Sequence, residues 1–204
     1  GRPHTVDSQL VSSIDFAPTV GNLAGVDVPG HMQGRAFLGG KLGAARRYVY
    51  GARDRMDERY DIIRVVRDSR FRYIRNYEPL KPYYQYMNTP EKGATMKEIR
   101  RMAKAGKLPA AAKLFMATSK PTEELYDLKN DPHEIKNLVG TSKYTDKLVE
   151  LRNAHSDWVK RTGDLGLLPE AEIEIREKAA GSRFDILRGK NKLNAQLGNV
   201  AAMA

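Results

Sequence analysis

Residues 124–138 read ELYDLKNDPHEIKNL, and this stretch organises the interpretation of the whole chain. The apolar run at 125–128 is short and predicts a strand. An Asn-Asp-Pro sequence at 130–132 predicts a sharp turn directly after it, because Asn and Asp favour turns and proline cannot donate to a sheet ladder. Residues 137–138 predict the entry to a helix. These residue types alone therefore predict a strand, a turn and a helix entry in close succession.

The composition excludes several classes of protein. The chain has 204 residues and 41% of them are apolar, which is enough for one domain or a large part of one. It contains no cysteine, so the sequence holds no disulfide, no thiolate zinc site and no cysteine nucleophile. No run of eighteen or more apolar residues occurs, and we therefore expect no membrane-spanning helix.

The chain is strongly basic, with a formal net charge of +10. Such a balance favours anionic partners, including nucleic acid, anionic lipid and polyanionic substrates. A solvated basic surface, or a basic piece balanced by an acidic remainder, explains the same excess. Charge alone leaves these interpretations open.

Residues 46–77 hold ten Arg, five acidic residues and no Lys. β-branched and aromatic residues recur there in three runs, which predict strands at 48–52, 60–67 and 71–77, the last two as a hairpin. A fourth strand is expected at 124–128. Apolar residues at helical spacing predict a helix over 143–160, packed on one face of the sheet. The expected fold class is α+β, with a small antiparallel sheet of about four strands and a packed amphipathic helix.

Arg53 and Arg55 are the candidate substrate-binding residues. We expect them in a loop, 51–59, between the first two strands. The planar guanidinium of arginine suits bidentate contact with carboxylate, phosphate or sulfate, so these side chains are predicted to hold an anionic substrate group. The alternative is a self-neutralising ion-pair network, in which the arginines pair with Asp54, Asp57 and Glu58.

Residues 78–120 are predicted to form a long insertion between strands, with short helices at 95–104 and 109–117. From residue 81 to residue 120 there are nine basic and two acidic residues. Aromatic residues beside bases are compatible with stacking on nucleobases or sugar rings. A lid or a packing arm is the interpretation we favour, because long segments of this kind usually have that role.

Two further helices are expected towards the ends of the chain. One runs from about 15 to 24, with Asp15 as its N-cap, Pro18 in its first turn and Gly25 closing it. Three apolar residues share one face of this helix: Phe16, Val20 and Leu23. The other is expected at 169–180, followed beyond residue 189 by a peripheral helix or a frayed tail.

Two side chains of the helix predicted at 143–160 have specific interpretations. Trp158, the only tryptophan, is predicted to anchor the helix against the sheet. His155 is interpreted as an interface residue, because no second His, Cys or acid stands at metal-ligand spacing from it.

Residues 124–138 resemble the E-L-Y-D-L-x-x-D-P-x-E-x-x-N-L signature near the C-terminus of sulfatases, and the match is nearly complete. Residues 11–25 resemble the sulfatase segment V-S-x-x-D-x-x-P-T-x-x-x-L-A-G, and residues 162–170 resemble T-x-D-x-G-L-x-P-E. The Arg-rich sequence within 51–77 is similar to that of some bacterial sulfatases. One departure is Ala36, which stands where the G-x-S-L pattern has serine.

This resemblance implies the C-terminal portion of a type I, formylglycine-dependent sulfatase of the alkaline-phosphatase superfamily. Members hydrolyse sulfate esters, sulfated glycans among them: a formylglycine hydrate attacks sulfur while a calcium ion and basic residues stabilise the sulfate oxygens. By resemblance, the formylglycine and the calcium belong to an upstream portion. We therefore expect no catalytic residue and no metal ligand in this chain, which should be inactive alone. Ser119 superficially fits the C/S-x-P-x-R nucleophile motif, but Glu123 stands where arginine is required.

The resemblance also divides the chain. Residues 1–45 are expected to end the catalytic subdomain and cross over, 46–162 to form the C-terminal subdomain with a helical insertion at 78–120, and 163–204 to form an extension. The expected partners are the remainder of the sulfatase chain and an anionic sulfated substrate, and neither a membrane nor nucleic acid is expected. The compartment is not readable from the residues, and only the resemblance favours the periplasm or secretion.

Two other functions remain open on the sequence alone. A phosphonate or phosphate monoester hydrolase of the same superfamily shares the C-terminal layout, and an upstream formylglycine motif would not fully separate the two. A basic nucleic-acid-binding module is suggested by charge alone, and a steep fall of oligonucleotide affinity with salt would support it.

Overall fold

The computed structural model describes residues 4–188, and a four-stranded antiparallel sheet lies at its centre. The strands are β1 Val49–Met56, β2 Arg59–Arg67, β3 Phe71–Asn76 and β4 Glu123–Asp127, and they lie side by side in chain order. Tight turns join the first three strands, whereas the connection from β3 to β4 contains the long insertion. The predicted strands and their antiparallel pairing are confirmed, including the pairing of Leu125 with Tyr73.

Helices occur before, between and after the strands, which confirms the predicted α+β class. They are α1 Phe16–Leu23, α2 Asn88–Lys92, α3 Ala94–Lys104, α4 Ala110–Phe115, α5 Thr145–Thr162, α6 Glu170–Ala180 and α7 Arg183–Arg188. Within residues 4–188, none of the helices has the length and apolar character that crossing a bilayer requires. The peripheral helix or tail predicted beyond residue 189 lies outside the described residues.

The core lies between one face of the sheet and α5. Val66 pairs with Tyr73, which pairs with Leu125, so these three side chains form a row across neighbouring strands. Leu151 of α5 packs on this row and, like Val66 and Leu125, is fully buried. Burial of a side chain of this size stabilises a fold by roughly 1.5–3 kcal/mol, so this contact fixes the helix on the sheet.

Both ends of α5 are defined by local chemistry. A 3₁₀ turn, Ser142–Tyr144, precedes it, and Gly163 ends it with a left-handed backbone (φ 59°) that favours glycine. Near that end the Trp158 ring stacks on the Tyr50 ring, with centroids 4.9 Å apart. The predicted anchoring of this helix by tryptophan is therefore confirmed.

The β1–β2 hairpin corrects the loop predicted at 51–59. Strand β1 continues to Met56, so Arg53 and Arg55 lie on a strand rather than in a loop. Only a tight turn remains, with Asp57 in a left-handed conformation (φ 49°). The run 53–58 is almost entirely charged and lacks the β-branched and aromatic residues that predict a strand, and pairing with β2 extends β1 into it.

The helix predicted at 15–24 is present as α1, but Asp15 does not act as its cap. The Asp15 backbone is already helical (φ −83°, ψ −13°), whereas a capping side chain needs an extended backbone at that position. Its buried carboxylate instead accepts hydrogen bonds from the backbone N–H groups of Ser12 at 2.9 Å and Arg35 at 2.8 Å, and from Arg46 Nε at 2.8 Å. Asp15 thus ties α1 to the loop that leads into the sheet.

The insertion contains three helices rather than the two that were predicted. Helices α3 and α4 match the predictions, and the additional helix is α2. A helix of five residues is too short to show a periodic pattern of apolar residues, which explains why it was missed.

Candidate functional site

The signature at 124–138 has a structural role that its hydrogen bonds make explicit. Asn137 Oδ1 accepts from the N–H of Leu125 at 3.0 Å, and Asn137 Nδ2 donates to the carbonyl of Glu123 at 3.0 Å. The N–H of Leu138 donates to the carbonyl of Leu125 at 2.8 Å. The segment after the turn therefore pairs with the outer edge of β4.

Two acidic residues of the signature, Asp127 and Asp131, also form hydrogen bonds within the fold. Asp127 accepts two hydrogen bonds from Arg70, at 2.8 and 2.6 Å, and this guanidinium is the main cause that lowers the pKa of Asp127 to about 2. Asp131 accepts from the backbone N–H groups of Ile135 at 2.9 Å and Lys136 at 2.8 Å. These carboxylates therefore hold the turn and its neighbouring strand together.

A fully buried arginine joins the sheet to the segment after α5. The Arg64 guanidinium donates to Asp54 at 2.6 Å and to Asp164 at 2.5 and 2.9 Å. Burial opposes the charged form, but these two carboxylates outweigh it and raise the pKa of Arg64. Removing one partner of such a buried pair costs several kcal/mol, so this pair holds the end of the hairpin in place.

The two predicted binding arginines lie two residues apart on β1 but have different surroundings. Arg55 forms an ion pair with Glu170, and its side chain is 57% exposed. Arg53 is half-buried, and its Nε atom has no hydrogen-bond partner. In the part of the chain that the structure describes, Arg53 forms no ion pair. The structure therefore gives these two guanidiniums no shared partner.

The alternative ion-pair network around these arginines does not form as predicted. Asp54 pairs with Arg64, and Glu58 accepts from the backbone N–H of Asn88 at 2.7 Å. The carboxylate that does reach Arg55 comes from Glu170, more than a hundred residues further along the chain.

A cavity of about 260 Å³ opens beside Arg55 at the end of the hairpin. Its lining combines charged side chains, one aromatic ring and apolar residues: Asp54, Arg55, Tyr60, Leu165, Gly166, Leu168, Glu170, Ile173 and Arg183. Such a mixture suits a sugar ring that carries an anionic group, because the apolar walls take the ring and the arginines take the charge. This cavity is the candidate site.

Gly166 lines this cavity at a position where only a residue without a side chain fits. A side chain at this position would collide with the Arg64 guanidinium and the Asp54 carboxylate. The buried ion pair and the cavity therefore lie directly against each other. Sequence reasoning did not assign Gly166 and Glu170 to the site, although both belong to the quoted motif at 162–170; only the fold brings that motif onto β1.

The structure places His155 in the interior and Ser119 at the surface. His155 is almost fully buried beside β3, and its Nε2 lies 3.2 Å from the Tyr77 hydroxyl. Ser119 is exposed in a bend that precedes β4 and opens no helix. Among residues 4–188, no group of three or more His, Asp and Glu side chains lies together as a metal site would need.

Comparisons with known proteins agree with the resemblance noted in the sequence. Two curated proteins named ulvan-active sulfatase, both from Formosa agariphila, match this chain: one is 41% identical over 196 residues, the other 34% over 170 residues. They cover 96% and 80% of this chain, and the chain spans about a third of their length, 33% and 32% respectively. No family model matches the chain.

Solved structures include a 2-O GAG sulfatase that aligns at 26% identity with a TM-score of 0.49, covering 74% of this chain and 25% of that one. The curated similarities and the signature lead to the same class of protein. The chain is the C-terminal portion of a sulfatase.

The buried histidine predicts a pH dependence of stability. Burial is the largest cause that lowers the pKa of His155 from 6.5 to about 4, so the folded chain holds this imidazole neutral. Below pH 6.5 the His155 imidazole is protonated in the unfolded chain but stays neutral in the folded chain. The free energy of unfolding therefore falls as the pH is lowered from 6.5 to about 4. Each pH unit in this window costs at most about 1.4 kcal/mol.

Urea unfolding of the chain, followed by circular dichroism, measures this slope. His155→Gln should flatten the dependence between pH 6.5 and 4 relative to the unmodified chain, whereas His133→Gln, at an exposed position, should leave it unchanged. An unaltered slope in the His155 variant would show that this residue is not the titrating group.

Proposed function

We propose that the complete protein hydrolyses sulfate esters of a polysaccharide, and that this chain supplies its small sheet and part of its substrate pocket. The observation that carries the proposal is the 41% identity, over 96% of the chain, to a protein named ulvan-active sulfatase. The cavity beside Arg55 supports it, because a sugar ring with an anionic group fits its lining.

The reaction centre is assigned to the remainder of the polypeptide. In sulfatases a formylglycine hydrate attacks sulfur and a calcium ion stabilises the sulfate oxygens. Among the described residues 4–188, no group of three or more His, Asp and Glu side chains lies together, and the calcium ligands are proposed to lie in the remainder of the polypeptide. The role proposed for this chain is to bind and orient the part of the substrate that does not react.

The exposed face of α1 supports the remainder of the polypeptide as a partner. Phe16, Val20 and Leu23 are 59%, 67% and 61% exposed, although they form one apolar face of the helix. An apolar face of this kind is normally covered. The chain spans a third of its curated relatives, so the polypeptide that corresponds to their other two thirds is the proposed cover.

Arg55, which lines the cavity, and Arg53, two residues before it on β1, are proposed to clamp a charged group of the substrate. Arg53 has a guanidinium without an ionic partner, and the Arg55 pair with Glu170 is exposed enough to exchange for a substrate carboxylate or sulfate.

Export to the periplasm or beyond is proposed by resemblance alone.

Hydrolysis assays of this chain and of the complete protein test the proposed division of roles. We expect this chain alone to release no sulfate from an aryl sulfate, with or without calcium, because the nucleophile is absent and Glu123 breaks the motif at Ser119. The complete protein should turn over sulfate esters faster than phosphate or phosphonate esters. Preference for a phosphonate ester would favour the alternative hydrolase, and turnover by this chain that Ser119→Ala abolishes would contradict the assignment.

The clamp is tested in the complete protein with two substrates. Arg53→Ala and Arg55→Ala should each lower kcat/KM on a charged glycan sulfate roughly 10- to 100-fold, because a charge-assisted hydrogen bond contributes about 1.5–3 kcal/mol. The small aryl sulfate lacks the clamped group and should react at an unchanged rate. Arg47→Ala is the matched control, since this exposed arginine precedes β1, at the end of the strand away from the cavity.

Glu170→Gln separates the clamp from a structural role of Arg55. If the ion pair only fastens α6 to the sheet, the Glu170 and Arg55 variants should lower the melting temperature equally and lose activity equally on both substrates. That combination would exclude the clamp for Arg55.

A further inference from the structure

Positive charge is concentrated in the insertion as well as in the Arg-rich segment 46–77. Residues 92–113 carry seven Lys or Arg and one acid, Glu98, which is a net charge of +6 out of +10 for the whole chain. Like charges that crowd together raise the energy of the folded state, so this concentration has a cost that a binding role would explain.

The arginines of this segment are neutralised, whereas its lysines are not. Arg100 pairs with Glu91 at 2.5 Å, and Arg101 pairs with Glu98 at 2.6 Å. Five exposed lysines remain, and within residues 4–188 none of them forms an ion pair. These five, which we call the lysine face after the pair on the exposed side of α3, are Lys92, Lys97, Lys104, Lys107 and Lys113.

Helix stability does not account for this pattern. On α3 the apolar side turns inward with Met96 buried, and Lys97 and Lys104, two helical turns apart, lie together on the exposed side. Lys104 is in the last turn, where the helix dipole favours a cation, but Lys97 is in the first turn, where it does not. The first turn of α3 contains no acid that would compensate.

The insertion is anchored beside the candidate site. Lys120 Nζ forms a fully buried ion pair with Asp61 of β2 at 2.6 Å, and the Lys81 and Gln85 side chains donate to the Tyr60 carbonyl at 3.3 and 3.2 Å. Tyr60 also lines the cavity next to Arg55. The root of the insertion is therefore fixed at the end of the hairpin that carries the site.

We propose that the lysine face is a docking surface for a sulfated polysaccharide, which it holds while the cavity takes one sugar residue. This inference rests on the proposed function. Lysines on flexible stems suit anionic groups at irregular spacing along a polymer, since each acts as a point charge. The surface binds the polymer electrostatically and adds nothing to the chemical step.

Two other polyanions fit this surface less well. Single-stranded nucleic acid binding relies on aromatic side chains interleaved with the bases, whereas here the exposed aromatic residues, Tyr86 and Phe115, lie outside the segment 92–113 that carries the lysines. Binding to an anionic membrane relies on an exposed apolar helix face, whereas α3 turns its apolar side towards the protein.

The test compares two triple variants of the chain with the same change in charge. Lys97→Gln/Lys104→Gln/Lys107→Gln removes the centre of the lysine face. Lys129→Gln/Lys136→Gln/Lys178→Gln removes three exposed lysines elsewhere, none of which forms an ion pair within the described residues. The probes are dextran sulfate, unsulfated dextran, an oligonucleotide and vesicles of phosphatidylglycerol. Binding is measured at about 0.1 M salt, because charges still interact over about 10 Å at this concentration.

The proposal predicts a weakening of dextran sulfate binding by roughly tenfold in the first triple variant, with a shallower salt dependence, and less than a twofold change in the second. Unsulfated dextran should not bind. Equal losses in both variants, or a lysine-face dependence that appears only with the oligonucleotide or the vesicles, would overturn it. Binding is measured without turnover, so a failure of the complete protein to hydrolyse sulfate esters would be visible separately.

Discussion

The side chain of Asn137 supplies the constraint on which the helical side of the structure depends. An edge strand presents unpaired backbone groups to solvent, and β4 is such a strand. Asn137 bonds the N–H of Leu125 and the carbonyl of Glu123, and the N–H of Leu138 completes the edge. Leu138 is thereby drawn into the core, and the chain is positioned to enter α5 on the correct face of the sheet. The signature therefore satisfies the backbone groups at the edge of β4 and sets the direction in which the chain enters α5.

Most of the charge in the sheet serves the same structural purpose. Arg64 is buried between Asp54 and Asp164, and the burial of its guanidinium makes these contacts costly to break. Arg70 is half-exposed and is bonded to the buried carboxylate of Asp127. Arg53 and the lysines of the lysine face form no ion pair within the described residues, and the binding roles proposed for them rest on that availability. The chain therefore separates the charge that holds the fold from the charge that is available to an anionic substrate.

The sequence predicted the local elements and missed the contacts that join distant ones. Strands and α5 are encoded in short-range periodicity, so their existence and pairing could be read directly. The partner of Arg55 could not, because Glu170 reaches it only after the chain has passed through the insertion and α5. Asp15 illustrates a second limit: its residue type suits a cap, but the preceding 3₁₀ turn makes its backbone helical and redirects its side chain. The strand position of Arg53 depends on its pairing with Ile63 of β2, which the residues around Arg53 do not reveal.

The central claim is that the signature stabilises the fold and takes no part in the reaction. The most direct measurement compares Asn137→Ala with Asn153→Ala, an exposed asparagine on α5, in both unfolding free energy and activity of the complete protein per folded molecule. Two backbone N–H groups lose their acceptor in the first variant, so its stability should fall by roughly 2–4 kcal/mol while kcat/KM stays unchanged. The control should change by less than about 0.5 kcal/mol. Loss of kcat/KM in a variant of undiminished stability would contradict the account.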